Sequence, residues 1–139
     1  MNPPSIALAA LGATVVYFIL GGLFFAASPL KLEFMQYPAV YRSQADMKSV
    51  WPIGIVGMVL SMVALAILYA MLYHGQPPLE LGVRFGLLVG AYSVGSFVLH
   101  NHVNLNIGLR LTIGQAIAYW VQWTIVGVVI AEIYRPLSA

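Results

Sequence analysis

The sequence contains no cysteine and very little charge. Only 7% of its 139 residues are Asp, Glu, Lys or Arg, whereas an average soluble domain carries about 25%. The lack of cysteine excludes disulfides, thiolate metal sites and cysteine nucleophiles. Four acids and six bases are too few to cover the surface of a soluble fold, and the net charge of +2 is too small to attract nucleic acid. We therefore expect neither a soluble fold nor a nucleic-acid partner.

Catalytic signatures are missing as well. The chain has no P-loop, no G-x-S-x-G, no H-E-x-x-H and no paired carboxylates. None of its acids lies in the middle of an apolar run, where a small proton-coupled exporter would carry its coupling carboxylate. These absences predict that the protein is not an enzyme, and they weaken a transporter interpretation.

Apolar residues make up 61% of the chain and fall into four long runs. A transmembrane helix needs about 20 mostly apolar residues. The runs are continuous rather than alternating, and a backbone in lipid must satisfy its own hydrogen bonds, so helices are expected. The sequence therefore predicts one all-α integral membrane domain over residues 1–139, an up-down four-helix transmembrane bundle. The predicted spans are Ser5–Ala27, Trp51–Tyr73, Leu81–His102 and Leu111–Tyr134.

The long first connection, residues 28–50, interleaves large apolar side chains with charges in "LKLEFMQYPAVYRSQADMKSVW". This pattern is typical of a segment that lies in the membrane interface or against a partner. The positive-inside rule places the more basic face on the cytoplasmic side, here of a bacterial inner membrane, with both termini opposite. The first and third connections carry four bases, and the other face carries two: Lys31, Arg42, Lys48 and Arg110 against Arg84 and Arg135.

Small residues recur at four-residue spacing in the third run, as Gly82, Gly86 and Gly90. The fourth run has Gly127, and the second has Gly57 followed by Ser61. Such spacing lets helix backbones approach closely in lipid. We expect these residues to pack inside the bundle; a homodimer face is the alternative.

The polar stretch "HNHVNLNIGLR" follows the third run. His100 and His102 lie about 200° apart around a helix, and His74 belongs to the opposite membrane face, so no shared metal site is expected. Either His100 or His102 alone could ligate haem or a pigment. The alternative, which we favour, is a membrane-surface turn capped by asparagines.

The middle of the fourth run is rich in aromatic and amide side chains. Tryptophans in membrane proteins usually gather at the two interfaces, so Trp120 and Trp123 near mid-span need an explanation. Together with Tyr119 and Gln122 they either pack on a neighbouring helix or subunit or line a pocket for a quinone, a carotenoid or another flat apolar ligand. Packing is the commoner outcome, and both interpretations remain open.

Arg84 and Glu132 lie near ends of the third and fourth runs that meet on one membrane face. An ionised group left alone in lipid is costly. We expect a structural ion pair between them, which Glu80 and Arg135 would extend.

Three segments, "FILGGLFF", "GVRFGLLVGAY" and "VGVVIAEIYRP", carry a family resemblance. With them the chain resembles small four-span bacterial membrane proteins grouped under a domain of unknown function. The resemblance implies a four-span fold, and it carries over no activity and no functional residue.

Two functional hypotheses follow. In the first, the protein is a non-catalytic accessory or assembly subunit of a larger membrane complex, of the respiratory or photosynthetic kind, with lipid and other membrane subunits as partners. In the second, it is a stand-alone binder or transporter of a small hydrophobic molecule, held at Tyr119, Gln122 and Trp123 with a contribution from His100.

Overall fold

The computed structural model describes residues 1–134, which form helices and connections without a strand. Arg135 therefore lies outside the described residues. Four helical segments are long and apolar enough to cross a membrane, which confirms the all-α integral membrane fold predicted from the runs. The first, second, third and fourth spans are Pro3–Ala26, Gln44–Leu72, Pro78–Asn104 and Leu109–Ile133.

The first and third spans each contain a wider, π-helical turn. In the first span α1 (Pro3–Gly21) continues into the π-helical turn Gly22–Ala26. In the third span α4 (Pro78–Ser93) continues through the π-helical turn Val94–Leu99 into the short α5 (His100–Asn104). The remaining helices are α2 (Leu30–Met35) in the first connection, α3 (Gln44–Leu72) and α6 (Leu109–Ile133).

The second span begins at Gln44, seven residues before the predicted start at Trp51. Ser43 caps the helix, because its Oγ accepts a hydrogen bond from the backbone N–H of Asp46 at 3.2 Å. Pro52 consequently lies inside α3 rather than in its first turn. A helix of 29 residues is about 44 Å long, more than the roughly 30 Å hydrocarbon core. The polar first turns of α3 therefore extend beyond the lipid chains.

The spans pack in the order second, first, fourth, third. The fourth span, α6, lies against α4 and α1, and α1 also packs against α3. The short connection between α5 and α6 makes the third and fourth spans antiparallel neighbours, as its length predicts. Small and medium side chains fill the core between α1, α3 and α6, among them Ala9, Ala13, Met62, Ala66, Val126 and Ile130.

Glycines bring α4 and α6 into backbone contact. A Cβ added to Gly86 would lie 2.7 Å from Cα of Thr124, and one added to Gly127 would lie 2.6 Å from Cα of Gly86. At Gly82 and Gly90 the added atom would meet Ala131 and Trp120 at 2.6 Å. These four glycines thus lie between two helices of the same chain, where any side chain would separate the backbones. The same expectation was wrong for Gly57 and Ser61 on α3, which are exposed instead of packed inside the bundle.

The first half of α3 leaves the bundle. From Gln44 to Gly57 every residue except the half-buried Val50 is exposed, and Ile53 retains 74% of its accessible surface. The first residue of α3 that packs against the core is Met58. The second span is therefore held by the core along its second half, and its first half is not covered by the other spans.

Candidate functional site

Gln122 and Trp123 join three spans in the middle of the bundle. Gln122 is fully buried, and its Nε2 donates a hydrogen bond to the backbone carbonyl oxygen of Tyr17 in α1 at 2.8 Å. The indole Nε1 of Trp123 donates to Oγ of Ser93 in α4 at 3.0 Å, and its ring centroid lies 5.1 Å from that of Tyr17. Both side chains therefore bind other helices of their own chain.

Tyr119 and Trp120 also contact other helices. The Tyr119 ring lies 4.9 Å from Phe25 and 5.6 Å from Phe97, centroid to centroid. Trp120 packs over Gly90 and remains 44% exposed on the outer surface. Neither residue lines one of the two cavities described below. Of the two interpretations of this aromatic segment, the geometry favours helix packing over a ligand pocket.

The two candidate histidines have different surroundings. His102 Nδ1 lies 2.8 Å from the hydroxyl of Thr112 at the start of α6, and Thr112 is buried. His100 is exposed, and its backbone oxygen accepts a hydrogen bond from Asn104 Nδ2 at 3.0 Å. No group of three metal-ligating side chains occurs within the part of the chain that the structure describes. The contact between His102 and Thr112 thus joins the end of α5 to the start of α6.

The Arg84 guanidinium pairs with Glu80, not with Glu132. Its Nη2 lies 2.6 Å from Glu80 Oε1 one turn earlier on α4, and the predicted bond to Glu132 is not among the ion pairs of residues 1–134. The reason is geometric, since side chains four residues apart on one helix meet more easily than side chains on two helices. Both partners are largely exposed, so the pair contributes little to stability.

The first connection is docked on the start of α6. Tyr37 Oη accepts a hydrogen bond from the backbone N–H of Gly108 at 2.9 Å, and Arg110 Nε lies 3.0 Å from Glu33 Oε1. Leu30 covers Gly114 one turn further along α6. The mixed apolar and charged pattern of this connection predicted a segment in the membrane interface or against a partner, and it did not indicate these contacts with α6 of the same chain. The first and third connections consequently lie at the same end of the bundle.

An open cavity of about 710 Å³ lies between the end of the first span, α2 and the start of α3. Three aromatic rings in series form its floor: Phe25 lies 6.1 Å from Phe34, and Phe34 lies 4.8 Å from Tyr41, centroid to centroid. A smaller groove of about 240 Å³ lies between Leu30 and α6. The other lining residues of the large cavity are Ala26, Lys31, Met35, Pro38, Arg42, Ser43, Gln44 and Met47.

The large cavity is positively charged. Its lining contains the cations Lys31 and Arg42 and no acid, and within residues 1–134 neither cation belongs to an ion pair. The buried hydroxyl of Tyr41 lies beside Gln115 without a hydrogen bond of normal geometry to any described residue. Burial raises the pKa of Tyr41 above its ordinary value of 10.0, although the neighbouring Gln115 opposes the rise. Tyr41 is therefore neutral at physiological pH, and the charge of the cavity comes from the two cations.

The sequence of this chain matches no protein-family model and no curated protein, and its fold matches no solved structure. The resemblance to four-span bacterial proteins of unknown function therefore stays a prediction.

Proposed function

We propose that this protein is a non-catalytic accessory subunit of a larger membrane complex and that it binds a transmembrane helix of another subunit along α3. The proposal is based on a face of small residues on the second span that no other span covers. Gly54, Gly57, Ser61 and Ala64 form this face, and all four are exposed.

These four residues share one side of α3. At 100° per residue they fall within about 80° of one another, and their centre lies about 120° from the core-facing residues Met62, Ala66 and Tyr69. The small-residue face therefore does not duplicate the contact that α3 makes with α1.

The contact between α4 and α6 is an example of a helix packed on such a face. On α4 the glycines at four-residue spacing are covered by the backbone of α6. On α3, by contrast, a Cβ added to Gly54 or Gly57 would meet nothing within 4 Å among residues 1–134 except its chain neighbours and the backbone of its own helix. Because lipid provides no hydrophobic drive for helices to associate, close backbone packing on small residues is a main source of helix–helix affinity. A partner helix on α3 would make the contact that α6 makes on α4.

The polar atom on this face needs no partner. Ser61 Oγ donates to the carbonyl oxygen of Gly57 at 2.9 Å within α3. Recognition along α3 would consequently depend on shape, which suits a constitutive subunit contact better than a switchable one.

We place the complex in the bacterial inner membrane, with the docked first connection on the cytoplasmic side. The distribution of bases supports this orientation, since Lys31, Arg42, Lys48 and Arg110 lie at the end that holds the first and third connections. Respiratory and photosynthetic complexes are the hosts we propose, because small subunits there fill space and hold lipid or cofactor.

The alternative, a stand-alone binder or transporter that uses Tyr119, Gln122 and Trp123, has less support. The polar atoms of Gln122 and Trp123 that donate hydrogen bonds already do so to Tyr17 and Ser93. A ligand at that place would have to displace contacts between three spans.

Gentle extraction from the native membrane tests the proposal. The protein is separated by size in mild detergent, and an absorption spectrum is taken across the elution. We expect the wild-type chain in a large assembly and the Gly57→Leu variant alone. Gly95→Leu is the matched control, since a Cβ there also meets no atom of the described chain within 4 Å, and it should stay in the assembly. A wild-type chain that elutes alone, or only with copies of itself, would contradict the proposal.

A further inference from the structure

We infer that the large cavity binds an acidic phospholipid, with the lipid phosphate between Lys31 and Arg42 and an acyl chain on the aromatic floor. This inference is independent of the proposed function, because the cavity and the small-residue face involve different residues.

The size and position of the cavity suit such a ligand. A volume of about 710 Å³ lies within the range of roughly 300–1,000 Å³ that small-molecule sites occupy. The cavity opens where the first span ends at Ala26 and where the polar first turns of α3 begin. A phospholipid headgroup lies at this boundary between apolar and polar segments.

The charges select an anion. Both acids closest in sequence to the two cations are already bound to other groups. Glu33 on α2 pairs with Arg110, and the carboxylate of Asp46 accepts a hydrogen bond from Ser43 Oγ at 2.6 Å. Lys31 and Arg42 thus keep their charge available, and basic pockets at the membrane surface bind acidic headgroups. The planar guanidinium of Arg42 is suited to a phosphate, to which it can donate two parallel hydrogen bonds.

The apolar lining distinguishes a lipid from a free anion. Inorganic phosphate would contact only the cations and would leave Phe25, Phe34 and Met47 uncovered. An acyl chain would cover these side chains, and the flexible methionines Met35 and Met47 can adapt to it. An amphiphile with an anionic head therefore uses both parts of the lining.

The test measures lipid binding by the full chain in an uncharged detergent. Fluorescent phosphatidylglycerol is titrated into the wild-type protein and into single variants. Lys31→Gln and Arg42→Gln should each weaken binding about fivefold, the value of one base near an acidic lipid. Lys48→Gln removes the same charge at the same membrane face outside the cavity lining, and it should change binding by less than about twofold.

A second variant tests the acyl-chain site without changing the charge. Ala26 lines the cavity and is exposed, so Ala26→Phe fills the space while both cations remain. We expect it to weaken phosphatidylglycerol binding at least as much as Lys31→Gln does. If circular dichroism shows that a charge variant does not fold, Ala26→Phe still tests whether the lipid binds in the cavity.

Two ligand controls complete the experiment. Phosphatidylcholine, which has no net charge, should bind more weakly than phosphatidylglycerol, and millimolar inorganic phosphate should not displace the bound lipid. Equal binding of both lipids, or an equal loss in Lys48→Gln, would overturn the inference. Displacement by phosphate would show a free-anion site and would overturn the lipid assignment.

Discussion

The side-chain amide of Gln122 donates a hydrogen bond to the backbone carbonyl oxygen of Tyr17, 2.8 Å away on another helix. The two residues are 105 positions apart in the chain, and the bond joins the fourth span to the first near the middle of the bundle. In lipid an amide without a partner is costly, so this contact fixes the rotation of α6 relative to α1. The same rotation turns Trp123 toward Ser93 and Gly127 toward Gly86.

Replacing the amide should cost a measurable but modest amount of stability. We expect Gln122→Leu to lower the free energy of unfolding by about 1 kcal/mol, in line with interhelical hydrogen bonds in other membrane proteins. Unfolding in mixed detergent micelles measures the change. Thr124→Val is the control, because within residues 1–134 the Thr124 hydroxyl bonds only to the carbonyl oxygen of Trp120 on its own helix. Equal losses in the two variants would refute a stabilising contact between α6 and α1.

A methyl group at the contact of α4 with α6 should be far less well tolerated than one facing open space. Gly86→Ala places a Cβ 2.7 Å from the Thr124 backbone, and overpacking of this kind costs about 1–3 kcal/mol. Gly95→Ala, which meets no described atom within 4 Å, should be close to neutral. The same micelle unfolding assay compares them, and a Gly86→Ala variant as stable as Gly95→Ala would show that α4 and α6 are not in backbone contact.

The docked first connection should become less stable at alkaline pH, because Tyr41 ionises there. Burial raises the pKa of Tyr41 above 10.0, so the fold favours the neutral phenol. Its contribution to stability is therefore complete below pH 10 and is lost as the pH rises through the folded-state pKa. Tyr41→Phe cannot ionise and should lose less stability between about pH 8 and pH 11. The free energy of unfolding is measured across this interval for both proteins. If the two pH profiles coincide, ionisation of Tyr41 does not affect stability.

The spans could be predicted from the sequence because each one is a continuous apolar run, and the glycines of α4 because their spacing is local. The early start of α3 had a local signal too, the Ser43-x-x-Asp46 cap, which the apolar run at Trp51 obscured. The predicted bond between Arg84 and Glu132 was wrong. Arg84 pairs with Glu80 one turn earlier on its own helix, a residue that the sequence suggested only as an extension of that pair.

The cavity could not be predicted from any local pattern. Its lining combines residues of the first span, α2 and the start of α3, and the segment that contains α2 is held by contacts such as the one between Tyr37 and Gly108, 71 residues apart. The hydrogen bond from Trp123 to Ser93 is similar, because it requires the mutual rotation of two helices. Long-range geometry of this kind becomes visible only in the folded chain.

Photo-crosslinking along α3 would show whether this helix binds a helix of another membrane subunit, as we propose. A photoreactive residue at Leu68, exposed and one turn beyond Ala64 on the small-residue face, should give a single protein adduct of constant mass in native membranes. The same residue at Leu88, which is 72% exposed on α4, should react with lipid alone. Lipid adducts at both positions, or an adduct between two copies of this chain, would contradict the account.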